Sequence, residues 1–247
     1  MKKDHNSVAD GAANAGHLVN LLRSDRALAQ ASDTLLSSLT LSSQSGLPRS
    51  IMISSTQPGE GKTLVATMLA LTTAMTGKRV LLVDADLRRP RVHQIFGCDN
   101  RVGFGDYLAG TTPLAESIAT RQVADVDDAV ELGVMCSGAR GSVDFNRIGR
   151  ERFGEAVNQL SACFDLVIFD SPPVLAVNDA LFLAAAVEGV VFVVDAGAVS
   201  QHQAKLAKAR LEKAGAKLLG FVMNRLDEAQ LGMSDYPDRR YYGQPEG

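Results

Sequence analysis

Short runs of apolar residues alternate with longer segments of helical periodicity from residue 51 onward. Such alternation is typical of repeated βα units, which build a parallel sheet with helices packed on it. The runs that we interpret as strands span residues 51–54, 80–84, 133–136, 166–170, 190–195 and 218–224. The segments that we interpret as helices span residues 62–76, 152–161, 179–186 and 201–214. The pattern therefore predicts a three-layer α/β fold, with a mostly parallel central sheet and helices on both faces.

The two ends of the chain lack this alternation. Residues 1–48 are rich in Ala, Ser and Asn, and one loose helical pattern runs from Leu18 to Leu41. After Leu226 the apolar pattern fades into a polar tail. We therefore predict a partly helical amino-terminal arm over residues 1–48, a core domain over residues 49–228, and a flexible tail over residues 229–247.

The composition fits one well-packed core and excludes several classes of protein. Of the 247 residues, 46% are hydrophobic and 21% are charged, which argues against a disordered, collagen-like or disulfide-scaffold protein. The formal net charge of −3 gives no broad attraction to nucleic acid, so we expect no nucleic-acid partner. Aromatic residues are scarce, yet Tyr236, Tyr241 and Tyr242 all lie in the last twelve residues.

Cysteine spacing and hydropathy indicate a cytoplasmic protein. Cys98, Cys136 and Cys163 form no metal-ligand spacing, and we interpret them as reduced, buried thiols. The amino terminus has no apolar signal-peptide segment, and Glu188 interrupts the longest apolar stretch, residues 181–194. We therefore expect recruitment to the inner face of a membrane only through a partner.

Residues 54–63 read Ser-Ser-Thr-Gln-Pro-Gly-Glu-Gly-Lys-Thr and lie between a predicted strand and a predicted helix. This is the setting of a phosphate-binding loop, in which glycines turn backbone amides toward phosphate oxygens at a helix N-terminus. The lysine can reach the β- and γ-phosphates, and the threonine hydroxyl can bind Mg²⁺. A Gly-rich turn without function is the alternative, and Thr56 replaces the usual first glycine. The predicted nucleotide-binding residues are Pro58, Gly59, Glu60, Gly61, Lys62 and Thr63.

Three aspartates end two other predicted strands. Asp84 ends the run at residues 80–84 and Asp86 lies two residues later, while Asp170 ends the run at residues 166–170. Ligands of open parallel sheets bind beyond the carboxyl ends of the strands, so we expect these carboxylates to converge on the loop. There they can hold Mg²⁺, orient an attacking hydroxyl or accept its proton. A single aspartate in such a place would be adequately explained as a turn or a helix cap.

Together the Pro-Gly-Glu-Gly-Lys-Thr loop, Asp84-x-Asp86-x-Arg88 and Asp170-Ser-Pro-Pro resemble the signature of the bacterial tyrosine kinases (BY-kinases). The resemblance covers about residues 50–226, including residues 103–110, 178–180 and 224–225. It implies a P-loop NTPase-type fold and an ATP- and Mg²⁺-dependent autokinase that phosphorylates carboxyl-terminal tyrosines. It also implies a membrane-embedded polysaccharide chain-length or export protein as the activating partner, self-association, and a role in exopolysaccharide synthesis or export.

The resemblance assigns roles to individual residues. Asp84 and Asp86 would serve Mg²⁺ and activation of the tyrosine hydroxyl, and which of them positions or deprotonates the acceptor is left open. Arg88 is a candidate for contacts with nucleotide charge, whereas Arg89 and Arg91 are interpreted as a solvated basic turn. Asn224 is a candidate for the adenine edge. The catalytic set is Lys62, Asp84, Asp86 and Asp170; the metal set is Thr63, Asp86 and Asp170; the acceptor set is Tyr236, Tyr241 and Tyr242.

Two departures from the family pattern keep other functions open. The family's amino-terminal helix commonly carries Glu-x-x-Arg-x-x-Arg for ring assembly, and the nearest match here is Asp33-x-x-Leu36-x-x-Leu39. Residues 138–146 replace the family's Pro-Asn-Pro stretch. A nucleotide-binding regulator without phosphotransfer is one alternative. A positioning-type ATPase is the other, although that class carries an additional lysine where this chain has Gln57.

Overall fold

The computed structural model describes residues 15–44, 46–123, 130–139 and 148–226. The whole predicted tail, with the predicted acceptor tyrosines, lies outside these residues, as does the greater part of the 138–146 replacement.

Within the described residues, seven strands form one sheet in the order β3-β4-β2-β5-β1-β6-β7. Neighbouring strands run parallel except for β3, which pairs antiparallel with β4 at one edge. The strands are β1 (Ser50–Ser55), β2 (Val80–Asp84), β3 (Ala119–Gln122), β4 (Glu131–Met135), β5 (Leu166–Asp170), β6 (Gly189–Asp195) and β7 (Leu218–Asn224). The predicted α/β fold with a mostly parallel sheet is confirmed, and β3 was not predicted.

Helices cover both faces of the sheet. They are α1 (residues 15–24), α2 (Arg26–Leu41), α3 (Lys62–Met75), α4 (Val92–Phe96), α5 (Phe104–Ala109), α6 (Leu114–Ser117), α7 (Arg150–Cys163), α8 (Asp179–Ala186) and α9 (Gln201–Lys213). The four helices predicted within the core domain are present, whereas the short α4, α5 and α6 were not predicted.

Alternate residues of the central strands enter two separate apolar clusters. Ile51 and Leu82 pack with α1 to α4 on one face, and Met52 and Leu81 pack with α5 and α7 to α9 on the other. Strands that are buried on both faces read as continuous apolar runs, which is why the sequence pattern identified β1, β2 and β5. The register places Asp84 beside Asp170 at the carboxyl ends of β2 and β5.

The part of the amino-terminal arm that the structure describes contains two helices, not the single helix predicted from Leu18 to Leu41. The helical conformation is interrupted at Asp25. Its carboxylate accepts hydrogen bonds from the backbone N–H groups of Ala27 and Leu28 at 3.0 Å. An aspartate in extended conformation that binds these amides is a helix N-cap, so α2 begins anew after it. Val19 and Leu39 are buried in the cluster that includes α3.

The cysteines differ from the expectation of three separate buried thiols. Cys98 and Cys136 are buried, while Cys163 is exposed at the end of α7. Tyr107, the one tyrosine of the described residues, is buried and donates its hydroxyl hydrogen to Gln159. Among the described helices, none is long and apolar enough to cross a membrane.

Candidate active site

The phosphate-binding loop connects β1 to α3, and α3 begins at Lys62. Gly59 and Gly61 have φ angles of 92° and 95°, in the left-handed region that favours glycine. Gly61 also stands against Asn224, because a Cβ atom at position 61 would lie 2.1 Å from the Asn224 Nδ2. Position 61 therefore requires glycine for two independent reasons.

Glu60 and Asn224 hold the loop from inside the protein. The Glu60 side chain is buried, and its carboxylate accepts hydrogen bonds from the backbone N–H groups of Gln57 and Asp195. Burial raises the pKa of Glu60. Asn224 Nδ2 donates to the Glu60 carbonyl at 2.9 Å. Because the Glu60 side chain is buried, only its backbone is available to a ligand in the cleft. The Asn224 side-chain amide contacts the loop and not the cleft lining.

Lys62 forms an ion pair with Asp86 at the base of the cleft. The distance between Lys62 Nζ and Asp86 Oδ2 is 3.1 Å, and both side chains are nearly buried. The other Asp86 oxygen accepts the backbone N–H of Arg89 at 3.0 Å. Asp86 therefore connects the loop lysine to the chain segment that follows β2.

Thr63 and Asp170 present oxygen atoms beside that pair. Thr63 Oγ1 donates to Asp170 Oδ2 at 2.6 Å, and Asp170 Oδ1 is buried without a hydrogen-bond partner among the described residues. Burial raises the pKa of Asp170 to about 6, although the Lys62 charge and the Thr63 hydroxyl oppose the rise.

These oxygens fit Mg²⁺, which takes oxygen ligands, uses one or two carboxylates and keeps several waters and phosphate oxygens. The described residues contain no cluster of three or more His, Cys, Asp or Glu side chains arranged as a metal cage. An incomplete protein ligand set of this kind is typical of Mg²⁺ bound together with a nucleotide.

Asp84 lies beneath the cleft rather than in its lining. Its Oδ2 accepts the backbone N–H groups of Arg91 and Val92 at 2.9 and 3.0 Å, and its Oδ1 accepts that of Asp86. Burial, followed by the Asp170 charge, raises the pKa of Asp84 to about 8. Asp84 thus fixes the backbone of the segment that carries Asp86.

The cleft beside the loop has a volume of about 850 Å³. Arg88 reaches into it and forms an ion pair of 3.4 Å with Asp179. Arg89 and Arg91, which we interpreted as a solvated turn, also line the cleft, and this part of the site was missed. The available signal was the run Arg-Arg-Pro-Arg, which begins two residues after Asp86. The lining residues are Pro58, Gly59, Gly61, Lys62, Thr63, Asp86, Arg88, Arg89, Arg91, Gln94, Ile95, Pro172, Pro173, Ala176 and Val177.

A parallel sheet with a lysine-containing phosphate loop at the carboxyl end of β1 defines a P-loop nucleotide-binding protein. A model of the AAA domain family matches residues 48–212. The tyrosine-protein kinase YwqD of Bacillus subtilis is 36% identical over 195 residues, which cover 79% of this chain and 78% of that protein.

Two solved structures of nucleotide-binding proteins are also similar to this chain. The kinase domain of Escherichia coli tyrosine kinase ETK superposes with a TM-score of 0.64 and 30% identity, covering 73% of this chain and 70% of that one. The septum site-determining protein MinD from Pyrococcus horikoshii OT3, complexed with Mg-ADP, gives a TM-score of 0.59 and 25% identity, with coverages of 73% and 71%. The chain belongs to the bacterial tyrosine-protein kinases, and the expected enzyme class is confirmed.

Proposed function

We propose that this chain uses Mg²⁺ and ATP to phosphorylate its own carboxyl-terminal tyrosines, and that this autophosphorylation regulates exopolysaccharide biosynthesis or export. The observation that carries the proposal is the pairing of Lys62 with Asp86 and of Thr63 with the buried Asp170. Lys62, Thr63 and Asp86 line one cleft. The first pair suits a phosphoryl group and an attacking hydroxyl, and the second suits a metal ion.

In the proposed reaction a tyrosine oxygen forms a bond to the γ-phosphorus, and the bond from that phosphorus to the bridging oxygen of the ADP leaving group breaks. Lys62 and the loop amides stabilise negative charge on the phosphate oxygens. Asp86 lines the cleft and Asp84 does not, which favours Asp86 as the group that orients the hydroxyl and accepts its proton. Thr63, Asp86 and Asp170 are the residues that would hold Mg²⁺, which neutralises phosphate charge when bound.

The tail tyrosines are the proposed acceptors, Tyr236, Tyr241 and Tyr242. Tyr107 does not suit this role, because it is only 4% exposed and its hydroxyl hydrogen-bonds to Gln159. The proposed partner is a membrane-embedded polysaccharide chain-length or export protein that activates the kinase at the inner face of the membrane.

Incubation of the full chain with Mg·ATP, followed by detection of phosphotyrosine, tests this function. We expect phosphotyrosine in the chain and a loss of about 10²–10³-fold in rate for Lys62→Met, because the lysine stabilises transition-state charge. Lys208→Met is the matched control, since Lys208 is exposed on α9 and pairs only with Glu212 in the described structure.

The same experiment separates the alternative of a nucleotide-binding regulator. Nucleotide binding with no phosphotyrosine, with or without the membrane partner, would contradict the kinase proposal and favour that alternative. Phosphotyrosine formed equally by Lys62→Met would instead contradict the assignment of the site.

A further inference from the structure

Three arginines form one side of the cleft entrance, and we name Arg88, Arg89 and Arg91 the arginine rim. All three are exposed and line the cleft beside the phosphate loop. Arg88 is paired with Asp179, whereas Arg89 and Arg91 have no ion-pair partner among the described residues. Two positive charges at the entrance are therefore available to a ligand.

Buried carboxylates fix the backbone of this rim. Asp86 accepts the N–H of Arg89, and Asp84 accepts those of Arg91 and Val92. Because both carboxylates belong to the active site, the rim is held at a defined place relative to the phosphate loop. The backbone of the rim is thus fixed beside the site, while its side chains remain exposed to solvent.

The lining combines this positive charge with an apolar surface. It contains Lys62 and the three rim arginines but, among acidic residues, only Asp86, which Lys62 already neutralises. Pro172, Pro173, Ala176 and Val177 line the same cleft and offer a surface on which a tyrosine ring can pack. Phosphates bound at the loop reduce the positive charge near Lys62, while the exposed rim remains.

The carboxyl-terminal sequence divides into two halves of opposite charge. Residues 227–238 contain Tyr236 with four acidic residues and no basic one, a charge of −4. Residues 239–247 contain Tyr241 and Tyr242 with two arginines and one glutamate, a charge of +1. Asp235 and Asp238 flank Tyr236 closely, and Arg239 and Arg240 directly precede Tyr241.

We propose that the arginine rim binds the acidic segment 234–238 and makes Tyr236 the preferred phosphoacceptor of this chain over Tyr241 and Tyr242. The inference rests on the proposed autokinase function and adds the acceptor specificity of that site. The charges of Asp235 and Asp238 are opposite to those of Arg89 and Arg91, whereas Arg239 and Arg240 carry the same charge as these arginines. Exposed ion pairs are individually weak, so two of them together give a preference of about twofold to thirtyfold.

Time-resolved mass spectrometry of the full chain with Mg·ATP tests the preference within one sample. The measured quantity is the ratio of the initial phosphorylation rate at Tyr236 to the mean of the rates at Tyr241 and Tyr242, which equals one when there is no preference. This ratio does not depend on ATP affinity or on the amount of active protein. We expect it to exceed one and to fall toward one at high salt, because salt screens exposed charges.

Paired substitutions assign the preference to the rim. Asp235→Asn with Asp238→Asn, and separately Arg89→Gln with Arg91→Gln, should lower the ratio about twofold to thirtyfold. Arg150→Gln is the matched control, because Arg150 is exposed at the start of α7 outside the cleft lining, and it should leave the ratio unchanged. A ratio at or below one in the unmodified chain, or one that the rim variant leaves unchanged, would overturn the proposal.

A binding measurement decides the question even if the chain proves not to be a kinase. Labelled peptides of residues 230–238 and 239–247 are titrated with the full chain, Mg²⁺ and a non-hydrolysable ATP analogue. We expect tighter binding of the first peptide and loss of this difference in the Arg89→Gln, Arg91→Gln variant. Equal or reversed affinities would refute the proposal that the arginine rim binds the acidic segment. Selective binding of the first peptide without formation of phosphotyrosine would refute only the autokinase function.

Discussion

Gly61 is the residue whose backbone conformation most directly determines the shape of the phosphate loop. Its φ of 95° disfavours any side chain, and an added Cβ would overlap the Asn224 amide that holds the Glu60 carbonyl. Gly61→Ala should therefore distort the loop and weaken ATP binding by about tenfold or more, equivalent to loss of one charge-assisted hydrogen bond.

The measurement is the dissociation constant of a fluorescent ATP analogue. Gly154→Ala is the control, because nothing lies within 4 Å of a Cβ at that position of α7. Alanine there should leave binding unchanged and raise the free energy of unfolding by about 1 kcal/mol. Unaltered ATP affinity in Gly61→Ala would show that the loop does not need its observed conformation.

The raised pKa of Asp84 predicts that the stability of the metal- and nucleotide-free protein depends on pH. Its pKa is raised from 3.8 to about 8, so the folded state binds this proton more tightly than the unfolded state. The stability contribution of the group is fully present below pH 3.8 and is lost as the pH rises toward 8. Because asparagine carries no charge, Asp84→Asn should gain stability relative to the unmodified chain between pH 4 and pH 8.

Urea unfolding at pH 4.5 and pH 7.5 in the presence of a chelator measures this difference. In Asp84→Asn the two backbone N–H groups that bind Oδ2 keep an acceptor, and the Asp86 N–H that binds Oδ1 loses one. That loss does not depend on pH, so the change in relative stability between the two pH values still reports the pKa of Asp84. A relative stability of the variant that stays constant, or that falls with rising pH, would contradict the raised pKa.

At the level of elements, α2 depends on a capping residue. Asp25 lies between α1 and α2 and binds two backbone N–H groups of the first turn of α2. Asp25→Ala should lower the free energy of unfolding by about 0.5–2 kcal/mol, while Asp25→Asn keeps an acceptor oxygen and should lose less. Chemical denaturation of both variants measures the difference, and equal losses would argue against a capping role.

Elements that carry an apolar run or a helical period could be predicted from the sequence, and β3, which carries neither, could not. β1, β2 and β5 each contain an uninterrupted apolar run of at least three residues, and every residue of the three strands is buried. β3 has the sequence Ala-Thr-Arg-Gln and alternates half-buried with exposed positions, so it carries no apolar run. The break at Asp25 also went unpredicted, because helix-forming residues continue on both sides of it.

Some residues of the candidate site could likewise be predicted from the sequence, and others could not. Lys62, Asp86 and Asp170 were predicted to meet because the carboxyl ends of parallel strands share one edge, and the structure brings them together. The inward direction of Glu60 and the position of Arg89 in the cleft were not predictable in this way. Both depend on how loops between distant elements pack, which periodicity and spacing do not encode.

At the level of the whole molecule, the small net charge of −3 conceals a strong local asymmetry. The cleft lining contains four basic side chains and one acidic one, so positive potential concentrates where a nucleotide is expected to bind. The molecule as a whole therefore need not attract polyanions, and the cleft can still hold a triphosphate.

Ligand binding at this cleft should stabilise the entire fold, because the loop and the aspartates belong to the central strands β1, β2 and β5 and the segments that directly follow them. At an ATP concentration 100 times the dissociation constant, the gain is about 2.7 kcal/mol. For a chain of this size the melting temperature Tm should then rise by about 5–11 °C with Mg·ATP.

Differential scanning fluorimetry measures the shift, and chelation of Mg²⁺ should reduce it. Lys62→Met should show a much smaller shift at the same ATP concentration, and an equal shift would place the stabilising nucleotide outside the cleft.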